Sequence, residues 1–142
     1  MQIVDLEKLL NSNSILEFPE IEDAILRFGH GDCHDLTLSL NEIYHFKMIA
    51  IVSKSGLPIH SCVLIADNLT LDAYGINTIE TTLNRYNKIC LDNIEEEAEI
   101  KYINEDYIAN FALLLDEPED IINDFQPILN YLNLDLNLLV KS

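Results

Sequence analysis

The sequence predicts an α+β fold, in which a helix beginning at Cys33 packs on a small antiparallel β-sheet with further helices at its flanks. Three observations carry this. Apolar residues recur at helical spacing in the first 44 residues and again beyond residue 104. Between them lie three short apolar runs, Met48–Val52, Ile59–Ile65 and Leu69–Ala73, each bounded by turn residues, as in a meander of antiparallel strands. Helices, then strands, then helices is the order of an α+β domain.

Ile3, Leu6, Leu9 and Leu10 have the spacing of an amphipathic helix over residues 2–11, broken by Asn11-Ser12-Asn13-Ser14. Pro19 opens a second helix to about Phe28, with Glu20, Glu22 and Asp23 suiting its positive N-terminal end. Gly29-His30-Gly31-Asp32 forms a polar turn. Leu36, Leu40, Ile43 and Tyr44 then continue at helical spacing, so Cys33 stands at a helix N-terminus, and His45 closes that helix. The strand at Met48–Val52 ends in the turn Lys54-Ser55-Gly56. Ala66-Asp67-Asn68 joins the next two strands, and the third ends at Gly75. Residues 79–86 read as a helix, Glu95–Glu97 as a solvated segment and Ile100–Ile103 as another strand. Two acidic helices follow near 104–115 and 117–131, the second bent at Pro127. Leu132–Leu138 alternates as a strand does, and a short terminal helix fits it equally.

With 142 residues, 49% of them apolar, the chain is expected to build one domain over residues 1–142. The net charge of −17 is uneven: −5 over residues 1–32, −1 over 33–91 and −11 over 92–142. Such a field repels a phosphate backbone and excludes direct nucleic-acid binding, while it suits a basic protein or peptide partner. Three cysteines do not make a disulfide framework. The first residues lack a signal peptide's pattern, and no apolar run reaches bilayer length. The expectation is a soluble protein in the reducing cytoplasm, away from membranes, unless delivered by a route that needs no signal peptide. The sequence leaves the oligomeric state open.

The near-neutral middle third carries the chemistry. A thiol nucleophile needs a lowered pKa, a base and a group that orients the base. Cys33 at a helix N-terminus meets the dipole that favours thiolate, and N–H groups there can receive an oxyanion. His60 stands in an apolar strand, where an imidazole needs a partner. If Ala66-Asp67-Asn68 is a three-residue loop, Ile65 pairs with Leu69, Cys62 with Asp72 and His60 with Tyr74. His60 and Asp72 are then diagonal neighbours on one sheet face, about 7–8 Å apart at Cβ. A loop one residue shorter or longer sends them to opposite faces.

Three segments, Gly31-Asp32-Cys33-His34, Ile59-His60-Ser61-Cys62-Val63 and Leu71-Asp72-Ala73-Tyr74-Gly75, together resemble the small papain-like and transglutaminase-like cysteine enzymes over roughly residues 29–76. The resemblance implies a papain-like fold, with Cys33 as nucleophile, His60 as general base and acid, and Asp72 as orienter. It implies an amide hydrolase or acyl transferase of peptidase, deamidase or transglutaminase type, in families that include many bacterial effectors. Such an enzyme asks for no cofactor. Arg27 stands near the place where papain-type proteases carry a glutamine, and no tryptophan flanks the site.

Other readings stand beside this one. Cys33, His60 and Asp72 each occur as structural residues. His30, Asp32, Cys33, His34 and Asp35 with His60 and Cys62 could ligate a metal, although no CxxC or HExxH spacing is present and no metal is expected. His34, next to Cys33 on a helix, is read as pointing away from it, and Cys62 and Cys90 as packing. The acidic last third could instead make the chain a protein-binding module of inhibitor or immunity type, without catalysis.

Overall fold

The computed structural model describes residues 1–140; the last two residues of the expected 1–142 domain lie outside the described residues. A six-stranded, wholly antiparallel sheet is flanked by helices on both faces. In chain order the elements are β1 (Val4–Asp5), α1 (Leu6–Leu10), a 3₁₀ turn (Asn13–Glu17), α2 (Pro19–His30), α3 (Cys33–Tyr44), β2 (Lys47–Ser53), β3 (Pro58–Ala66), β4 (Leu69–Asp72), β5 (Gly75–Thr78), α4 (Ile79–Ile94), β6 (Ala98–Ile103), α5 (Glu105–Ala109), α6 (Pro118–Leu132) and α7 (Leu136–Val140). The strand order across the sheet is β1-β5-β4-β3-β2-β6.

Helix α3 is central. Cys33, Asp35, Leu36, Thr37, Leu38, Ser39 and Leu40 are all buried, because the sheet covers one side of the helix and α6 the other. Ser61 of β3 donates to Thr37 of α3, whereas Thr70 of β4 bonds Thr82 of α4. Successive strand residues point to opposite faces. The odd-numbered face of β3 therefore meets α3, and the even-numbered face, with His60, Cys62 and Leu64, meets α4. Behind α3, Phe28 of α2 and Phe125 of α6 meet edge to face at 5.8 Å between ring centres.

The turn between β3 and β4 differs from the expected one in an informative way. Ala66 pairs with Leu69, so the loop is only Asp67-Asn68, one residue shorter than the three-residue loop. A regular hairpin with that loop would put His60 and Asp72 on opposite faces. The register shifts between Leu64 and Ala66, however, with Ile65 as the extra residue, and Leu64 pairs with Thr70 and Val63 with Leu71. The bulge restores the parity that the shorter loop would lose.

Other elements depart from the sequence reading where tertiary context decides. Residues 4–5 pair with β5 before the first helix starts. The third expected strand stops at Asp72, and a tight turn returns the chain as β5. Gly75 is required there: its φ is +91°, and a Cβ would collide with the Val4 carbonyl of the neighbouring strand. The helix expected over 79–86 runs to Ile94. The one expected over 104–115 closes at Ala109. Helix α6 continues through Pro127, and of the two readings open for the C-terminal segment the short helix is the one that forms, as α7. Among the described residues, no helix is long and apolar enough to cross a membrane.

Candidate functional site

Helix α3 begins directly after Gly31-Asp32. Asp32 makes no side-chain capping bond, because its carboxylate turns to Arg27 Nε at 2.8 Å. The first N–H groups of α3 thus surround Cys33 without a capping carboxylate, at the positive end of the helix.

The hairpin β3–β4 brings His60 and Asp72 into contact. His60 Nε2 bonds Asp72 Oδ2 at 2.8 Å, and the two side chains are 0% and 2% exposed. The second carboxylate oxygen is also used: Asp72 Oδ1 accepts from the Tyr74 N–H at 2.9 Å, an Asx-type turn closing the β4–β5 connection. Asp72 is therefore fixed by its own turn before it fixes His60. The imidazole lies flat on Tyr86 of α4, with ring centres 3.7 Å apart and planes inclined by 8°. Tyr86 is held in turn by donating to the Gly29 carbonyl at 3.1 Å, tying α4 to the end of α2 just before the nucleophile.

With Nε2 engaged, Nδ1 is the nitrogen left to His60. It is buried and has no hydrogen-bond partner among the described residues. The electrostatics favour charge separation. Burial pushes the Cys33 thiol up, but the nearby imidazoles of His34 and His60 outweigh it and bring the group down to about 5. Burial likewise pushes His60 down, and the bond to Asp72 together with the neighbouring Cys33 raises it to about 9. The two shifts belong to one coupled pair and both run toward thiolate and imidazolium.

The remaining candidates divide clearly. Cys62 lies on the His60 face, and its ligand atom, those of His60 and those of Asp72 all fall within 4.8 Å of one another. Burial raises Cys62 well above an ordinary thiol, with the charges of Asp72 and Cys33 adding to it, so it stays protonated. The wider metal set does not assemble. His30 turns to the Tyr74 hydroxyl, Asp32 to Arg27, and Asp35 accepts from the Leu113 and Leu114 N–H groups. Arg27 is bound by Asp32 just before α3, by Asp124 of α6 and by Asp116. Cys90 is buried in α4.

His34, for which a helix-surface or a packing place was open, is half-buried and reaches β3, where Nδ1 meets Ser61 Oγ at 2.7 Å. The signal was present in the sequence: His34 and Thr37 are three apart on the helix face that meets the sheet, a polar pair at positions where apolar residues are the rule. Tyr86 was also missed, and the sequence holds no sign of it, because its role depends on how α4 crosses the sheet.

Comparison with protein-family models, curated proteins and solved structures returned no match. What the chain itself offers is the buried His60–Asp72 bond, with Cys62 close to both residues and Cys33 at the start of α3.

Proposed function

We propose that the protein is a cysteine-dependent amide hydrolase or acyl transferase on a papain-like scaffold, with Cys33 as nucleophile, His60 as general acid and base, and Asp72 as the group that orients His60. The observation that carries this reading is the buried 2.8 Å His60–Asp72 bond, with Cys33 at the N-terminus of α3 where Asp32 makes no side-chain cap. The Cys33 thiolate attacks an amide carbonyl carbon, and N–H groups at the start of α3 receive the developing oxyanion. The C–N bond breaks as the His60 imidazolium gives its proton to the leaving nitrogen, and a thioester remains. Water or a primary amine then attacks the thioester, neutral His60 takes the proton, and the C–S bond breaks to regenerate the thiolate. Water as acceptor gives a peptidase or deamidase; an amine gives a transglutaminase.

The substrate class follows from charge. Residues 92–142 carry a net −11, which favours a basic protein or peptide. The test is a thiol-reactive amide analogue with residue-resolved mass spectrometry. Labelling of Cys33 that spares Cys62 and Cys90, and that fails in His60→Ala, is the expected outcome. Equal labelling of all three cysteines, insensitive to His60, would remove the enzymatic reading and leave an acidic binding module.

A further inference from the structure

Between α5 and α6 the chain runs past the start of α3 as a short strap, residues 110–117. Its fixing points surround Cys33 in sequence. The Leu113 and Leu114 N–H groups donate to Asp35 Oδ1 at 2.7 and 3.3 Å, and the Phe111 ring stands 6.1 Å from that of His34. Asp116 meets Arg27, which itself holds Asp32. Asp35 is buried, so its two bonds pin the strap's backbone to α3. Leu114 has a φ of +53°, a conformation that strains a leucine and persists only where the surroundings impose it. The strap held in this way leaves its side chains in water: Leu113 is 66% exposed, Leu114 49% and Leu115 82%. A run of large apolar side chains fixed in solvent marks an interaction surface.

Charge decides what that surface takes. Directly after the leucines come Asp116, Glu117, Glu119 and Asp120, all exposed, and only Asp116 of these has a salt-bridge partner among the described residues. A second copy of this chain would bring the same carboxylates and a net charge of −17, and is repelled. A chain with Lys or Arg beside a large aliphatic residue is complementary to both halves of the surface. We propose that residues 111–120 form the substrate-docking surface of the Cys33 site, where the leucines take a large aliphatic side chain of a peptide and the carboxylates take a neighbouring Lys or Arg. The inference rests on Cys33 as the nucleophile of an amide hydrolase or acyl transferase, and it adds an apolar anchor to a substrate otherwise described only as basic. The bonds to Asp35 fix the surface before substrate arrives, so docking has less ordering to impose.

The experiment labels Cys33 in the full chain with peptidyl chloromethyl ketones that carry Leu or Ala beside Lys or Glu, read by mass spectrometry of the Cys33 peptide. Iodoacetamide, which has no peptide to dock, reports the thiol itself. Wild type is compared with Leu113→Ser/Leu115→Ser and with Glu117→Gln/Glu119→Gln/Asp120→Asn. These side chains are exposed, so both variants should keep the fold, which the far-ultraviolet spectrum checks. Wild type should react with the Leu–Lys probe roughly tenfold faster than with the Ala–Lys or the Leu–Glu probe. The serine variant should lose the preference for Leu and the carboxamide variant the preference for Lys, with iodoacetamide labelling unchanged in both. The preference for Lys should also weaken with salt. Probes that label wild type equally, or preferences that survive both sets of substitutions, overturn the docking surface, while reaction with iodoacetamide at low pH leaves the triad standing. A wild type that sediments as a dimer, turns monomeric in the serine variant and shows no probe preference assigns the strap to a second copy and overturns the proposal too. A wild-type Cys33 that reacts with iodoacetamide as an ordinary thiol removes the nucleophile reading, and this inference with it.

Discussion

His60 and Asp72 meet at 2.8 Å because Ile65 is an extra residue in β3. The Asp67-Asn68 turn alone would set the two side chains on opposite faces of the sheet, and the bulge reverses that parity. The contact is thus a property of the hairpin's register, and Asp72's second bond, to the Tyr74 N–H, locks it from the far side.

The coupled shifts set a pH window. Cys33 is lowered to about 5, so reactivity is lost as pH falls through that value and the thiolate is protonated. His60 is raised to about 9, so its proton, needed by the leaving group, is lost as pH rises through that value. Turnover of an amide substrate should be bell-shaped between these limits. Alkylation, which needs only the thiolate, should keep its acid limb and show no fall on the alkaline side. Stopped-flow alkylation and steady-state turnover across the pH range check both. An alkylation limb near pH 8.5, where a free thiol titrates, would contradict the ion pair.

Asp72→Ala should be costly twice. It leaves the fully buried His60 without its partner, and breaking a buried pair of this kind destabilises by about 3–5 kcal/mol. It also removes the acceptor for the Tyr74 N–H. Asp72→Asn keeps that acceptor and should retain most of the stability, while losing the carboxylate that raises His60. Denaturant unfolding of the two variants, beside their Cys33 alkylation at pH 6, separates the roles. Asn should resemble wild type in stability and Ala in reactivity.

Arg27 stands near the place where papain-type proteases carry a glutamine, and its own partners lie elsewhere. Its guanidinium holds Asp32, Asp124 and Asp116, and its side chain is about a third exposed. Solvent-exposed pairs contribute about 0–1 kcal/mol each. Arg27→Ala should therefore lower stability by roughly 1–2 kcal/mol in a salt-sensitive way, by the same principle. Turnover per folded molecule should change by less than about threefold, against the 10²–10³-fold loss typical when an oxyanion donor is removed. Activity corrected for the folded fraction at two salt concentrations decides it.

How much of this was legible in the sequence depends on range. Cys33 at a helix start follows from the local spacing of Leu36, Leu40 and Ile43, and the meander follows from its turns. The meeting of His60 with Asp72 was legible through parity, although the expected three-residue loop is a two-residue loop plus a bulge. Bulges leave little mark in sequence, since Ile65 suits a regular strand equally well. Strand β5 was hidden because Gly75-Ile76-Asn77-Thr78 is too short to signal itself and is defined by its pairing with β4 and β1. The length of α4 was underread because Asn84, Asn87 and Asn93 are poor helix formers, and packing on the sheet overrides them. Whether His34 lies on the helix surface or packs was open from helix geometry, and Ser61, 27 residues on, decides where its ring ends.

Tyr86 supplies the last test. Its ring is stacked on His60 at 3.7 Å, and burial raises its hydroxyl well above the usual range, so it stays a neutral donor to the Gly29 carbonyl. An aromatic face against an imidazolium is a cation–π contact worth about 0.5–2 kcal/mol. Tyr86→Phe keeps the face and loses the hydroxyl; Tyr86→Leu loses both and leaves space beside the ring. Phe should preserve the pH window and cost about 1–2 kcal/mol of stability for the unpaired carbonyl. Leu should lower the His60 limb of the turnover profile by roughly 0.5–1 pH unit, the size of the lost contact. Nuclear magnetic resonance titration of the His60 ring in the three proteins reads this directly. Identical titrations would mean that Tyr86 only fills space, and that Asp72 and Cys33 sustain the charge on His60.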